Sequence, residues 1–521
     1  MNLPRHLSRD LIDSLLKRVS LDSAREHRAT PLTAPFTGAT IAEVPRCDPD
    51  DVAWAARRAR RAQKSWRKTS IAERGRVFMR LHDLVLDRQE QLLDLIQLES
   101  GKARRHAFEE VLDTAICSRY SARAARRHLR SESRQGALPF LTRTRVNHLP
   151  LGLVGFIAPW NYPLSLAVTD AIPALLMGNA ALLKPDQQTP LTALFVAALL
   201  EEAGLPADLF QVVTGEGREL GTPLLDAVDG VTFTGSSQTG AIIARQAGER
   251  LIGASLELGG KNAMIVRRDA DLDRAVQGAL VGCFANAGQL CISIERLFVH
   301  AAIADEFTRR LAQGVNAMRL GAGFDDEADM GSLVSAAQLD KVTRHVRDAL
   351  DKGARLIAGG HARPDLGPWF HEPTVLEGVD SSMEVFAEET FGPLASLYRF
   401  DSDEEAIERA NDTRYGLNAS LWTRDTRRAL DMARRIEAGT VNINEPYAAA
   451  WASVDAPMGG FKASGLGRRH GREGFLKYAQ AQTVAVQRIM PVSQLVGGDG
   501  GRYRRWMSRA IALLKWLPGI D

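Results

Sequence analysis

Cysteine is scarce in this sequence, with four in 521 residues. The four show neither the CxxC spacing of metal and redox sites nor a disulfide framework, and such usage is typical of a reducing compartment. Long apolar runs are also missing, because no stretch of about 18 apolar residues occurs. Charged residues interrupt the N-terminal leucines where a signal peptide has its apolar core. These absences predict a cytoplasmic protein without a membrane span, and no metal site is expected.

An excess of charge of one sign is missing as well. The chain has 66 basic and 63 acidic residues, for a formal net charge of +3. Two arginine clusters, at 57–61 and 123–130, lie in alanine-rich stretches at helical spacing, which favours solvated helix faces over a nucleic-acid groove. We therefore expect no nucleic-acid partner. The length predicts two or three structural units with a large core.

What the sequence does contain is a regular alternation of short apolar strands and helices. Strands are predicted at 154–158, 180–183, 211–213 and 231–233, and a second such series begins near 263–266 and ends near Asn444. This alternation predicts an α/β fold with parallel sheets covered on both faces. Ahead of these series, long helical patterns occupy 10–19, 50–66, 74–97 and 108–129.

Two segments have other patterns. The stretch 136–151 alternates polar and apolar residues and predicts an exposed ribbon of strands, suited to contact another subunit. The segment 502–515 combines arginines with residues such as Trp506 and predicts a basic amphipathic helix. That helix is suited to pack on this protein or on a neighbouring subunit, or to make a weak contact with an anionic membrane surface.

Two short motifs carry candidate reactive groups. Cys291 ends the sequence Asn-Ala-Gly-Gln-Leu-Cys, whose small residues let the backbone approach a substrate carbonyl, although a single cysteine is more often a buried apolar residue. Glu257 lies between two leucines and is followed by paired glycines. An apolar setting raises the pKa of a carboxyl towards that of a useful general base. The alternative for Glu257 is a surface salt bridge at a strand end.

Two further motifs directly follow predicted strands. Asn161, in Pro-Trp-Asn-Tyr-Pro after the strand at 154–158, is a rigid amide donor at a strand's carboxyl end. The sequence Phe-Thr-Gly-Ser at 233–236 leads through a glycine turn into a helix, where free N–H groups suit a phosphate. Each could also be an ordinary turn. Together the four motifs indicate thiol-mediated aldehyde oxidation, with a nucleophile, oxyanion donors, a nicotinamide as hydride acceptor and a carboxylate that activates water.

With these motifs in this order, over about residues 30–490, the chain resembles the aldehyde dehydrogenase superfamily. The resemblance implies that Cys291 is the nucleophile, that Glu257 is the general base, and that Asn161 and the Cys291 backbone N–H form the oxyanion hole. It implies a homodimer or homotetramer with a Rossmann-type cofactor domain and an α/β catalytic domain. The implied boundaries are 1–130 and 151–258 for dinucleotide binding, 259–465 for the catalytic domain, 131–150 and 466–492 for a small β oligomerisation arm, and 493–521 for a basic helical tail.

The resemblance also implies a cofactor site. Lys184 resembles the residue that holds the adenosine ribose, and Glu389 and Phe391, in Glu-Thr-Phe-Gly-Pro, match the pair that binds the nicotinamide ribose and ring. Gln187 stands where NAD-preferring members carry a glutamate, and the loss of that carboxylate removes repulsion of a 2′-phosphate. NADP is therefore the expected cofactor, with NAD also accepted. The other expected cofactor contacts are Pro159, Trp160, Asp186, Gly215, Thr234, Gly235, Ser236 and Leu258.

Within the superfamily, the sequences at 287–296 and 465–471 resemble NADP-dependent succinate-semialdehyde dehydrogenases of the actinobacterial type. Succinate semialdehyde is thus the expected substrate. That group binds the distal carboxylate with arginines at positions that are Thr169 and Ala285 here, and Asp170 is expected to repel a carboxylate. A neutral aliphatic or aromatic aldehyde, oxidised at a membrane surface or elsewhere, is the alternative. The expected pocket residues are Tyr162, Leu166, Thr169, Ala285, Leu290, Tyr447, Trp451 and Met458.

Two rival functions fit the residues less well. A CoA-acylating aldehyde dehydrogenase typically lacks a carboxylate base, so Glu257 argues against it. A non-catalytic protein of this fold has no need to keep Cys291, Glu257, Asn161 and Lys184 together.

Overall fold

The structure, a computed structural model, describes residues 3–136, 142–321, 323–488 and 500–516. Its strands are β1 (Ala29–Thr33), β2 (Thr40–Pro45), β3 (Glu132–Arg134), β4 (Thr142–Pro150), β5 (Leu153–Ile157), β6 (Ala180–Lys184), β7 (Phe210–Val212), β8 (Gly230–Thr234), β9 (Gly253–Glu257), β10 (Asn262–Val266), β11 (Ile294–His300), β12 (Arg355–Ala358), β13 (Thr374–Glu377), β14 (Leu394–Phe400), β15 (Asn418–Trp422), β16 (Thr440–Ile443), β17 (Gly465–Leu466) and β18 (Ala479–Gln487). Its helices are α1 (Arg9–Leu16), α2 (Pro49–Trp66), α3 (Ile71–Asp87), α4 (Gln89–Ser100), α5 (Arg104–Leu129), α6 (Ser165–Val168), α7 (Ala171–Met177), α8 (Pro190–Glu202), α9 (Gly217–Ala227), α10 (Ser237–Glu249), α11 (Leu272–Phe284), α12 (Ala301–Asn316), α13 (Ala336–Asp351), α14 (Glu384–Ala387), α15 (Asp403–Asn411), α16 (Thr426–Ala433), α17 (Ala448–Ala452), α18 (Gly471–Leu476) and α19 (Gly500–Leu514).

The first large sheet has six strands in the order β17-β9-β8-β5-β6-β7. Strands β5 to β9 are parallel, and β17 returns antiparallel to β9 so that Gly465 pairs with Glu257. The apolar strand β6 is buried along its whole length, as a parallel strand covered on both faces must be. Because β6 and β8 flank β5 on opposite sides, the strand order reverses there, and the carboxyl ends of these strands form a crevice.

The second large sheet has seven strands in the order β12-β13-β14-β11-β10-β15-β16. All neighbours pair in parallel except β12, an antiparallel edge strand. Only residues 258–261 connect β9 of the first sheet to β10 of the second. The predicted α/β class with two parallel series is confirmed, and the short link brings the strand ends of both sheets to one place.

The predicted ribbon corresponds to a three-stranded antiparallel sheet, in the order β18-β4-β3. Strand β4 pairs with β18 along its full length, from Thr142 opposite Gln487 to Pro150 opposite Ala479. Part of the predicted ribbon, 137–141, lies outside the described residues, as do 489–499 and 517–521 of the predicted arm and tail. The predicted basic helix is present as α19. Within the described part of the chain, no helix combines the length and apolar character that a bilayer crossing requires.

One helix prediction was wrong. The pattern at 74–97 is two helices, because α3 ends at Asp87 and α4 begins at Gln89. Arg88 between them has φ −100° and ψ 16°, outside the α-helical region, and its N–H still bonds back to the Leu84 carbonyl. The apolar spacing continues across this break because both helices bury one face, so periodicity alone does not reveal it.

Candidate active site

Cys291 follows a tight loop between α11 and β11. In this loop Asn286 and Ala287 have φ values of 50° and 54°, in the left-handed region, and Gly288 has φ 67°. A Cβ at Gly288 would collide with the Gly392 carbonyl, so glycine is required there. The Gln289 amide closes the loop by accepting from the Val334 N–H at 3.0 Å and donating to the Asn286 carbonyl at 3.1 Å. The loop therefore holds Cys291 in one position.

The paired glycines after Glu257 allow two segments to approach Cys291 closely. A Cβ on Gly260 would lie 2.5 Å from the Cys291 carbonyl oxygen, and one on Gly259 would lie 2.5 Å from the Glu389 carboxylate. The Gly260 N–H donates to Glu389 at 2.8 Å, and the Asn262 amide donates to the Cys291 carbonyl at 2.8 Å. The glycines thus place the end of β9 against the cysteine loop.

Cys291 and Asn161 line one cavity with largely apolar walls. Six of the eight predicted pocket residues line it as well: Tyr162, Leu166, Leu290, Tyr447, Trp451 and Met458. Thr169 and Ala285 are not among the residues that line it. The Thr169 hydroxyl accepts a hydrogen bond from Arg469 instead, and Ala285 is buried in the apolar cluster that contains Tyr162 and Tyr447.

Asn161 is held by contacts with residues that are distant in the sequence and that no motif predicts. Its side-chain amide donates to the Gln289 carbonyl at 3.1 Å, and its side-chain oxygen is buried without a partner. The buried ammonium of Lys102 donates to the Asn161 carbonyl and to Glu110, both at 2.6 Å. One amide hydrogen of Asn161 remains for a ligand oxygen. Lys102 and Glu110 are eight residues apart, and no motif marks them in the sequence.

Glu257 ends β9 with a side chain that is almost completely buried, and its Oε1 has no hydrogen-bond partner. Burial raises the pKa of this carboxyl to about 7, against the opposing charge of Arg469 and Lys477. Burial, together with the charges of Glu389 and Glu257, raises the pKa of the Cys291 thiol to about 12. The charge of Glu257 therefore acts on the thiol, and none of the described contacts is the surface salt bridge that was the alternative for Glu257.

The residues expected to bind a dinucleotide lie at the carboxyl ends of the first sheet. Lys184 ends β6, Thr234 ends β8, and Pro159 follows β5. The ammonium of Lys184 is buried and donates to the Pro185 carbonyl at 2.7 Å, which leaves two of its hydrogens for a ligand. Ser236 precedes helix α10 and caps it by accepting from the Thr239 N–H at 3.2 Å. A buried cation at the end of β6 and a helix N-terminus after β8 are each suited to an anionic ligand such as a diphosphate.

The remaining expected cofactor residues surround this crevice. The rings of Trp160 and Phe391 meet edge to face with centroids 5.5 Å apart, and burial raises the pKa of Glu389 to about 7. Leu258 packs against Gly240 of α10, where a Cβ would collide with it. The other expected residues are placed as follows: Asp186 half-buried, Gln187 exposed, Gly215 buried with φ 142° after β7, and Gly235 packed on the Phe233 ring.

Comparison with known proteins identifies the fold and chemistry together. A family model described as the aldehyde dehydrogenase family matches residues 22–484. The chain belongs to the aldehyde dehydrogenase family. It is 49% identical to a Mycolicibacterium smegmatis protein provisionally named an NADP(+) succinate-semialdehyde dehydrogenase, over 96% of this chain and 97% of that one. It is 39% identical to a 3-sulfolactaldehyde dehydrogenase of Pseudomonas putida, over 87% of this chain and 93% of the relative.

A solved structure agrees with this placement. A betaine aldehyde dehydrogenase point mutant from Staphylococcus aureus, in complex with NAD+, superposes with a TM-score of 0.87 at 32% identity, over 94% of this chain and 99% of that one. The predicted aldehyde dehydrogenase-like fold, with a Rossmann-type unit and an α/β catalytic unit, is confirmed. This aldehyde dehydrogenase is accordingly an oxidoreductase that oxidises an aldehyde to a carboxylic acid.

The cavity of this aldehyde dehydrogenase also contains polar residues that the sequence analysis missed. They come from two distant elements, helix α5 and the turn before α18, and are Glu109, Asp113, Arg469 and His470. Glu109 accepts hydrogen bonds from the hydroxyls of Tyr162 and Tyr447 at 2.8 and 3.3 Å. The one sequence signal for this buried charge is the pair of adjacent arginines, Arg468 and Arg469, within the sequence at 465–471. Their spacing does not reveal which of the two is buried.

Proposed function

We propose that this aldehyde dehydrogenase oxidises succinate semialdehyde to succinate with NADP. The observation that carries the proposal is that the Cys291 thiol and the Asn161 amide line one cavity, while the charge of the buried Glu257 carboxylate acts on that thiol. Both relatives described above are named for short aldehydes with an anionic tail, a carboxylate in one case and a sulfonate in the other. A neutral aldehyde, the alternative substrate, has no such support.

The chemistry begins with the thiol. Its raised pKa means that Cys291 holds its proton at neutral pH, while Glu257, with a pKa of about 7, is then about half ionised and can accept that proton. The sulfur attacks the aldehyde carbon, and the free amide hydrogen of Asn161 and the Cys291 backbone N–H stabilise the oxyanion. A bound nicotinamide supplies the oxidising equivalent by accepting the aldehyde's hydride.

The second half of the reaction hydrolyses the resulting thioester. Glu257 first releases to solvent the proton that it took from Cys291, and then takes a proton from water as the water oxygen bonds to the acyl carbon. The carbon–sulfur bond breaks, the carboxylic acid leaves, and the Cys291 thiolate regains a proton from Glu257. The unpartnered Oε1 of Glu257 is the atom proposed to hold that water.

The cofactor would be held by the crevice at the carboxyl ends of β5, β6 and β8. Lys184 and the N-terminus of α10 suit its phosphates and ribose, and Glu389 and Phe391 its nicotinamide half. Gln187, which is exposed near Lys184, places no carboxylate against a 2′-phosphate. These features support NADP, with NAD also accepted.

A Gln187→Glu variant tests the cofactor proposal. We expect its ratio of kcat/KM for NADP over NAD to fall about 5-fold or more, because a new carboxylate near a phosphate costs roughly 1 kcal/mol at an exposed position. The neighbouring Gln188→Glu variant is the matched control. An unchanged ratio in Gln187→Glu would remove the reason for preferring NADP.

An aldehyde panel tests the substrate proposal. We expect kcat/KM with NADP to be at least about 10-fold higher for succinate semialdehyde than for pentanal or benzaldehyde, since hydrogen bonds to a charged group contribute about 1.5–3 kcal/mol. Added CoA is expected to leave the rate unchanged, because Glu257 supplies hydrolysis. A strict need for CoA, or a preference for pentanal, contradicts the proposal.

The proposed domain boundaries follow the resemblance, with dinucleotide binding at 1–130 and 151–258, catalysis at 259–465, and the arm at 131–150 and 466–492.

The proposed arm has exposed apolar residues: Val484 and Val486 of β18 are 39% and 53% exposed. Exposed apolar residues on an open antiparallel sheet support contact with a second subunit, in a homodimer or homotetramer. A monomeric mass by light scattering would contradict this. The four free cysteines support a cytoplasmic location.

The C-terminal tail is proposed to make a weak surface contact. Helix α19 exposes Trp506 and Ile511, each 57% accessible, among arginines and without acidic residues in its first turn. Such a helix suits an anionic membrane surface or a neighbouring subunit. Co-sedimentation with anionic vesicles tests the membrane contact when the full chain is compared with a chain ending at Val496. A larger vesicle-bound fraction of the full chain supports the contact, and equal bound fractions exclude it.

A further inference from the structure

Among the described residues that line the substrate cavity, Arg469 is the one permanent cation. It follows β17 in the chain and lies 300 residues from Thr169, yet the two side chains meet. An arginine is an expensive residue to bury, and it is retained where its charge is used or fully paired. Whether Arg469 can bind a ligand therefore depends on how many of its N–H donors already have partners in the protein.

The guanidinium of Arg469 is held on one side only. Its Nη2 donates to the Thr169 hydroxyl at 2.7 Å, and its Nε lies 3.2 Å from Asp170 but without the geometry of a hydrogen bond. No described residue accepts from Nη1. Since a guanidinium offers five N–H donors in a planar fork, this side chain retains donors for a carboxylate.

The hydrogen bond between Arg469 and Thr169 involves a position that is expected to bind the substrate carboxylate. Residue 169 is where the resemblance to succinate-semialdehyde dehydrogenases leads one to expect an arginine, and here a threonine hydroxyl orients the guanidinium of Arg469 instead. The guanidinium of Arg469 therefore lies beside the position where that arginine is expected.

Arg469 shares its ion-pair partner Asp170 with Lys477. Burial alone would raise the pKa of Asp170, but Arg469 and Lys477 outweigh it and lower the pKa to about 2. Lys477 donates to Asp170 at 3.0 Å, so two cations share one anion. The expectation that Asp170 repels a carboxylate was therefore wrong, because the fold surrounds it with these two cations.

The other ionisable groups of the cavity wall are Glu109, Asp113 and His470. Burial lowers the pKa of His470 to about 3, so its ring is uncharged at neutral pH. Glu109 accepts from the hydroxyls of Tyr162 and Tyr447, and Asp113 accepts from the hydroxyl of Ser165. A cavity whose wall is largely apolar and presents one guanidinium with free donors suits a short aldehyde with an anionic tail.

We propose that Arg469 binds the distal carboxylate of the substrate, and that Thr169 and Asp170 position its guanidinium. The inference rests on the proposed substrate and names the residue that selects it. Arg469 and Cys291 line the same cavity, so one substrate molecule bound there can contact both side chains.

Arg469→Met and Arg469→Lys variants test this, with kcat/KM measured for succinate semialdehyde and for pentanal, whose tail is neutral and of similar length. Arg469→Met is expected to lower kcat/KM for succinate semialdehyde by about 10- to 100-fold, mainly through KM, because a charged hydrogen-bond donor is lost. Because Arg469 also lowers the pKa of Glu257, pentanal oxidation is expected to fall by a smaller factor, so that the ratio of kcat/KM for succinate semialdehyde over pentanal falls about 10-fold or more. Arg469→Lys is expected to recover part of the lost activity. The control is Arg472→Met, whose arginine pairs with Glu132 outside the cavity.

The outcomes separate this inference from the substrate proposal. Equal losses with both aldehydes in Arg469→Met, or no loss with either, overturn the role of Arg469. A wild-type enzyme that already prefers pentanal overturns the proposed substrate instead.

A measurement on the wild-type enzyme avoids any folding defect in the variants. Butanoate is expected to compete with pentanal at least about 10-fold better than butanamide does, because only the former presents a carboxylate to Arg469. Equal inhibition by the two compounds overturns the carboxylate site.

Discussion

A Cys291→Ala variant is expected to form no measurable NADPH from any aldehyde, a loss of about 10⁴-fold or more, because no other group can form the covalent intermediate. NADPH binding, followed by its fluorescence, is expected to stay within about 2-fold of wild type, since the crevice at β5, β6 and β8 does not depend on the thiol.

Cys47→Ala is the matched control for this variant. Cys47 is buried in the core around α2 and takes no part in the cavity. Its substitution is expected to lower stability slightly and to leave turnover unchanged. Appreciable NADPH formation by Cys291→Ala would contradict the assigned nucleophile.

A Glu257→Gln variant is expected to lower steady-state kcat by about 10²- to 10⁴-fold, because the amide cannot accept a proton from water. Thioester hydrolysis is expected to be slowed more than deprotonation of the thiol, so the acyl-enzyme should accumulate and rapid mixing should show a burst of NADPH formation followed by a slow phase. A slow single phase without a burst would instead place the main role of Glu257 at the thiol, before thioester hydrolysis.

The pH profile gives an independent check on the same residue. Wild-type kcat/KM is expected to fall as the pH decreases through about 7, since only the ionised Glu257 carboxylate is a base. Glu389 has a pKa near the same value, so the profile of Glu389→Gln is the necessary comparison. The inflection should disappear in Glu257→Gln and persist in Glu389→Gln; the reverse result would exclude Glu257 as the titrating base.

Burial of Glu257 also has a consequence for stability. Its folded pKa is raised, so the stabilisation that it contributes is present below the unfolded pKa and is lost as the pH rises through about 7. Glu257→Gln removes this loss. Its Tm relative to wild type is therefore expected to be higher at pH 8 than at pH 6, which thermal melts at the two pH values would show.

Several features of the site were predictable because they depend on neighbouring residues. The glycines at 259 and 260 have no side chains, and this local property allows the close contact with Cys291 and Glu389. Strand ends in a parallel sheet share one edge, so the positions of Asn161, Lys184 and Gly235 followed from their order after strands. The raised pKa of Glu257 agrees with the two leucines that flank it.

Other features were not predictable because they join distant segments. The break at Arg88 leaves the apolar spacing intact, and Lys102 reaches Asn161 from an element with no motif. Thr169 and Ala285 were expected in the pocket by position along the chain, but the fold turns one towards Arg469 and buries the other beneath aromatic rings.

The amino-acid sequence by itself determined the α/β class and the family, and it singled out the proposed thiol, amide and carboxylate, because strand periodicity, glycine turns and reactive side chains are properties of contiguous residues. Only the tertiary structure decided the electrostatics of the cavity. The charge at Asp170 depends on Arg469 and Lys477, about 300 residues away, and Coulomb energy depends on separation in space and on burial, neither of which is encoded by distance along the chain.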